Sequence, residues 1–231
     1  MNDTFASLDP ALSGGKSNVI FDREVPIEVR IQEGDAAPSE VGQLHALRAR
    51  VLVQGAEAGT PRQVKIEVTS DTDLFFMYTA TVSSDGFKDI AAAQKLAADF
   101  VEYPSILSQS FTQAIESPQS VLAVLIIHKA GPARLDFIQS IAYLQKFVEL
   151  LSVDLERADE AAIRESVTFR YNALKSRYAA LQAHVQDVQA IVRQKNPTLL
   201  AQLQGPGAGS AAMAGDAAGS FAGANMSARR G

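Results

Sequence analysis

Asp71 and Asp73, two residues apart in Ser70-Asp71-Thr72-Asp73, are the side chains whose type and spacing come nearest to chemistry. Two neighbouring carboxylates can share a proton or hold a cation. A calcium-binding helix-loop-helix site would need glycine at the sixth position and an acidic residue at the twelfth. Counted from Asp71 these positions are Phe76 and Val82. Aspartates also shape turns, accepting hydrogen bonds from backbone N–H groups two residues on, and that is the role expected here. His45, His128 and His184 fall on three different predicted elements, with no second ligand at metal spacing. Ser13-Gly14-Gly15-Lys16-Ser17 resembles part of a phosphate loop, but Pro10 stands where the first glycine belongs and no strand precedes it. The serine-hydrolase, zinc-protease and dinucleotide motifs are missing. No catalytic residue, cofactor or metal is expected, and an enzyme built on the aspartate turn is the least favoured reading.

The elements around that turn explain it better. Leu74 to Val82 is an apolar strand holding Phe75, Phe76 and Tyr78. Those rings could stack on nucleobases, yet no basic residues interleave with them, so core packing is expected. Ser83-Ser84-Asp85-Gly86 supplies turn and N-cap chemistry. Phe87, Ile90, Leu96 and Phe100 fit one stripe of a helix, which Tyr103-Pro104 stops. Upstream, Val25-Ile27-Val29-Ile31 and Val64-Ile66-Val68 alternate as half-buried strands. Leu47 to Val53 is a further strand with Arg48 and Arg50 facing outward. Downstream, Pro104 opens a second helix over Ile106, Leu107, Phe111, Ala114 and Ile115. Val121 to Ile127 is apolar on both faces and reads as a central strand. Leu135 to Leu155 holds two more strands, although Ile138, Ile141, Leu144, Phe147 and Val148 also fit a helix.

From Asp159 the period becomes that of a long helix. Val167, Tyr171, Leu174, Tyr178, Leu181, Val185, Val188 and Val192 are spaced alternately by four and three, a heptad seam about 24 residues long, roughly 36 Å at 1.5 Å per residue. With Tyr171 at position a, the flanking charges are poor, and Arg170 against Lys175 is repulsive in a parallel dimer. The expectation is a weak homodimer, or a helix whose first part folds back on the head through Phe169. The organisation expected is a flexible leader over 1–19, a β-rich head over 20–158, a helix over 159–196, and a Gly/Ala-rich disordered tail over 197–231.

Composition narrows the function classes. The 231 residues include no cysteine, which excludes disulfides, thiol catalysis and thiolate metal sites. A net charge of −5 argues against nucleic acid as the default partner. Val121 to Ile127, the longest apolar run, is far short of a bilayer span of roughly 20 residues. Met1 to Asn18 lacks a secretory signal. A soluble intracellular protein that binds neither nucleic acid nor membrane is expected.

The opening stretch resembles the N-terminal head of the spindle assembly abnormal protein 6 family, the cartwheel proteins of centrioles and basal bodies. The pattern is carried by Asp71, Asp73, Phe75, Phe76 and Tyr78, then Phe87 after a polar turn, then Asp99, Phe100, Tyr103 and Pro104. Weaker likeness extends over about residues 20–180. The resemblance implies a seven-stranded antiparallel β-sandwich with an inserted helix-turn-helix, followed by a helix that dimerises in parallel. It also implies that heads join through a bulky side chain on a hairpin late in the domain. The counterpart here is Ile141-Ala142-Tyr143-Leu144-Gln145-Lys146-Phe147, with Leu144 or, by a one-residue slip, Tyr143 as the knob, and Phe147 beside it. The short seam is similar to the family's short paralogue without the long rod, associated with flagellar basal structures or the apical cytoskeleton. The implied function is a structural self-assembling protein of the centriole, basal body, flagellum base or apical cytoskeleton, with other centriolar or flagellar proteins as partners. A DNA end-joining repair scaffold of the same sandwich-plus-helix plan is the alternative.

Overall fold

The computed structural model describes residues 17–33, 42–55, 61–129, 131–141, 144 and 146–195. They fall into two units. One, through Ala173, holds the head and the first turns of the last helix; the other, from Leu174, holds the rest of that helix.

Seven strands build the head: β1 (Ser17–Gln32), β2 (Gln43–Gln54), β3 (Gln63–Ser70), β4 (Met77–Ser83), β5 (Val121–His128), β6 (Ala133–Ile141) and β7 (Lys146–Arg157). Helices α1 (Ser84–Gln94) and α2 (Tyr103–Glu116) are inserted between β4 and β5, and α3 (Glu160–Lys195) follows β7. The sheet closes in the order β1-β2-β3-β4-β7-β6-β5. Every neighbouring pair is antiparallel except β1 with β5, which run parallel from Ile27↔Ala123 to Gln32↔His128. This is the mainly β, seven-stranded head with a helical insertion and a long C-terminal helix expected from the sequence. The parallel pair is an addition to it.

Alternation puts Val25 and Ile27 of β1, Leu47, Ala49 and Val51 of β2, and Val64, Ile66 and Val68 of β3 into one core. Ala123 and Leu125, Leu135 and Phe137, and Leu151, Val153 and Leu155 complete it from the other strands. Helix α2 covers this core from β1, β2 and β5. Its Phe111 stacks on Phe21 with ring centroids 5.2 Å apart and meets Phe137 edge-on at 4.9 Å. Phe87 of α1 packs on Tyr103 at 4.8 Å and on Phe100 at 5.7 Å.

The barrel closes narrowly. β4 and β7 pair only at Tyr78↔Arg157 and Thr79↔Glu156. Further along β7, the Gln94 side chain takes over. Its Nε2 donates to the Ser152 carbonyl at 2.8 Å, and its Oε1 accepts from the Ser152 N–H at 2.9 Å. One side-chain amide thus satisfies both backbone groups that a neighbouring strand would otherwise serve.

Several boundaries differ from the sequence reading, each for a local reason. β1 begins at Ser17, inside the span assigned to the leader, because Ser17 and Asn18 pair with Gln54 and Val53. β2 extends beyond Leu47–Val53 for the same reason, pairing with β1 from Gln43 onward. β4 starts at Met77, not Leu74. The N–H groups of Thr72 and Asp73 go to Ser70 Oγ, that of Phe75 to Asp73 Oδ1 and that of Phe76 to the Asp73 carbonyl. Those donors serve a turn and cannot serve a ladder. α1 ends at Gln94, where Lys95 turns left-handed at φ 56° and its own N–H bonds back to Ala91. Leu96 and Phe100 therefore reach the core from the irregular link between the helices, and Tyr103-Pro104 opens α2. The muddled Leu135–Leu155 segment is two strands. Residues 1–16 of the leader, Asn196 and the tail 197–231 lie outside the described residues.

Candidate assembly surfaces

The aspartate turn is occupied by structure. Asp73 accepts the Phe75 N–H at 3.0 Å. Asp71 lies 3.4 Å from Arg170 Nη1 of α3, whose Nη1 also donates to the Ser70 carbonyl at 2.8 Å and whose Nη2 donates to the Leu74 carbonyl at 3.1 Å. The turn is a socket into which the first turns of α3 are bolted. The motif residues divide accordingly. Phe87, Phe100, Tyr103, Pro104 and Tyr78 are buried, and Phe76 is half-buried and meets Tyr78 edge-on at 5.2 Å. Phe75, expected in the core, is 68% exposed, because the turn points it away from the strand that would have buried it. Asp99 is exposed, and the Glu102 carboxylate accepts its backbone N–H at 3.1 Å ahead of α2.

Tyr103 carries no hydrogen-bond partner at its hydroxyl among the described residues, and burial pushes its phenol well above the usual range. On β1, Glu28 accepts from the Gly42 N–H at 2.8 Å and from Arg30 Nε at 2.9 Å. Burial pushes its pKa up, but these two hydrogen bonds and the Arg30 charge outweigh it, and the carboxyl sits below its ordinary range. A Cβ on Gly42 would stand 2.5 Å from the Val29 carbonyl oxygen, so glycine is required for this approach.

The β6–β7 hairpin presents the candidate knob. Leu144 is 55% exposed and Phe147, paired with Ser140 across the hairpin, is 69% exposed. Tyr143 lies outside the described residues. The hairpin root is fixed by a polar group: Asp136, nearly buried, accepts from Arg134 Nη2 at 2.8 Å and from Ser152 Oγ at 2.8 Å.

Helix α3 presents the seam. Asp159 caps it, its carboxylate accepting the Ala162 N–H at 2.7 Å. Ile163 is buried and Val167 and Phe169 are half-buried in the head unit. Beyond them Tyr171, Leu174, Tyr178 and Leu181 are each more than 60% exposed, Val185 and Val188 are also exposed, and Val192 is half-buried. Arg170 and Gln94, which fasten α3 and the barrel seam, were not singled out in the sequence. Arg170 registers there only as a misplaced charge beside the seam, and Gln94 gives no signal. The three histidines stay apart on β2, β5 and α3, and no cluster able to hold a metal occurs among the described residues.

The family model for the centriolar protein SAS N-terminal domain matches residues 19–155. The zebrafish (Danio rerio) spindle assembly abnormal protein 6 homolog is 22% identical over 190 residues, covering 78% of this chain and 29% of its own length. The mouse (Mus musculus) homolog is 23% identical over 199 residues, covering 81% and 29%. The chain thus spans about three-tenths of the length of the curated relatives it matches. Among solved structures, an N-terminal fragment of Leishmania SAS-6 with part of its coiled coil superposes with a TM-score of 0.63 at 18% identity, covering 77% of this chain and 99% of the fragment. The N-terminal coiled-coil dimer of C. elegans SAS-6 gives 0.54 at 11% identity, covering 74% and 98%. These likenesses show the fold, and the family match spans more than half of the 231 residues: the chain belongs to the centriolar protein family defined by the SAS N-terminal domain.

Proposed function

We propose that this protein is a structural, self-assembling component of the centriole or basal body, or of the related flagellar or apical cytoskeleton. It acts by a parallel helix dimer and a weaker contact between heads. The observation that carries this reading is the row of large apolar side chains that α3 leaves in water from Tyr171 onward. A fully buried side chain of that size gains about 1.5–3 kcal/mol over an exposed one, and a seam at heptad spacing is matched by a second identical helix. The solved relative described as a coiled-coil dimer supports the same arrangement. The exposed Leu144 and Phe147 support a head contact on the β6–β7 hairpin. Catalysis has no support in the geometry, since Asp71 and Asp73 are spent on the turn and on Arg170. The DNA end-joining reading gains nothing from the family match.

Sedimentation equilibrium of the full chain tests the dimer. The expected result is a concentration-dependent dimer that becomes a monomer in the double variant Leu174→Asp/Leu181→Asp. A wild-type chain that stays monomeric at high concentration would refute the reading.

A further inference from the structure

With Tyr171 at heptad position a, Arg170 occupies g and Lys175 the following e. In a parallel two-stranded coil these positions face each other across the seam. The bare sequence therefore sets Arg170 against a lysine of the second copy. The fold removes that arginine from the flank. Its guanidinium is drawn into the head by the Ser70 and Leu74 carbonyls, and only 19% of the side chain stays exposed. Asp71, 67% exposed, stands beside it. The turn also carries Asp73, and the further arginine within electrostatic reach of Asp71, Arg48, is itself paired with Asp22 at 2.6 Å, so the flank presents exposed carboxylates where the bare sequence has an arginine.

We propose that the Ser70–Phe75 turn is part of the dimer contact, with Asp71 taking the place of the g residue and pairing with Lys175 of a second copy of this chain. The inference rests on the parallel helix dimer proposed above. Charge complementarity selects the occupant. The turn is held by its own hydrogen bonds and by Arg170, so it is already in place before a partner arrives. It also holds Leu74 and Phe75 out in water at 47% and 68% exposure, and the Leu74 carbonyl is bonded to the helix turn that bears Arg170 and Tyr171.

A charge-swap cycle on the full chain, read as the dimer dissociation constant at low ionic strength, tests this. Each reversal is felt at two symmetry-related sites, so Asp71→Lys and Lys175→Glu are each expected to weaken the dimer roughly tenfold. The combined variant should return to within about twofold of wild type, and added salt should shrink all the differences. Asp71→Asn, which spares Arg170 a like charge, should give an intermediate loss. A combined variant as weak as the product of the two single changes would overturn the proposal. So would a Lys175→Glu variant that dimerises more tightly than wild type, the result expected if Arg170 itself faced the lysine. A monomeric wild type overturns the helix dimer and this inference together; a dimeric wild type without rescue overturns this inference alone.

Discussion

The phenol of Tyr103 is enclosed by Phe87, Phe100 and the core, with its hydroxyl unpartnered among the described residues. A buried polar group without a partner costs about 1–3 kcal/mol, while the ring itself contributes packing. Tyr103→Phe is therefore expected to raise stability by about 1 kcal/mol in denaturant unfolding, and a loss of stability would show that the hydroxyl is satisfied. Glu28 behaves oppositely. Its carboxyl is held below its ordinary range, so the unfolded chain binds more protons than the folded one in the acid limb. The stability it contributes is complete above the ordinary glutamate pKa of about 4.3 and is lost as pH falls through the lower folded value. The melting temperature of Glu28→Gln should lie below wild type at neutral pH, with the gap closing in acid; a gap of constant size across that range would contradict the account. At this scale the sequence was partly legible. Aromatic motif residues announce a core, and Phe87, Phe100 and Tyr103 are there. Phe75 is not, because its position depends on which oxygen takes its N–H, and nothing in its side chain encodes that.

Among the elements, the strands were readable wherever one face alternates, as in β1 and β3, since burial on one side imposes the period of two. Boundaries were less so. The end of α1 is set by Lys95 in a left-handed conformation, a state the residue type does not advertise. An L-residue there costs roughly 1–2 kcal/mol, which glycine avoids, although glycine loses more freedom on folding. Lys95→Gly should consequently stabilise the protein by about 0.5 kcal/mol net, whereas Lys95→Ala should leave it nearly unchanged. Equal effects from the two, read by thermal melting, would mean that the cap strain is not felt. The Gln94 bridge to Ser152 shows the other limit on legibility. The two residues are far apart in sequence, and their pairing exists only because β4 and β7 diverge after two paired residues.

For the whole molecule, the order of motif parts from Asp71 to Pro104 pointed to the family before any contact was known, and the match over 19–155 agrees with it. Assembly was less legible, because it depends on exposure, and the same apolar letter serves a core and an interface. Leu144 and Phe147 illustrate this: spacing alone also allows them a helix, but the fold sets them on a hairpin with more than half their surface in water. Scattered exposed apolar residues are common, so the head contact needs a measurement that isolates it. In a chain already made monomeric by Leu174→Asp/Leu181→Asp, self-association can come only from elsewhere. Light scattering of that chain at rising concentration should show weak association, of the millimolar to micromolar order typical of small contacts. Adding Tyr143→Glu, Leu144→Glu and Phe147→Glu should abolish it, because a buried unpaired carboxylate costs several kcal/mol. Leu144 and Phe147 are in solvent in the free head, so its melting temperature should stay within a few degrees of the parent's. Association that persists undiminished in the triple variant would move the head contact off the β6–β7 hairpin. Lost association with a collapsed melting temperature would assign these residues to the fold.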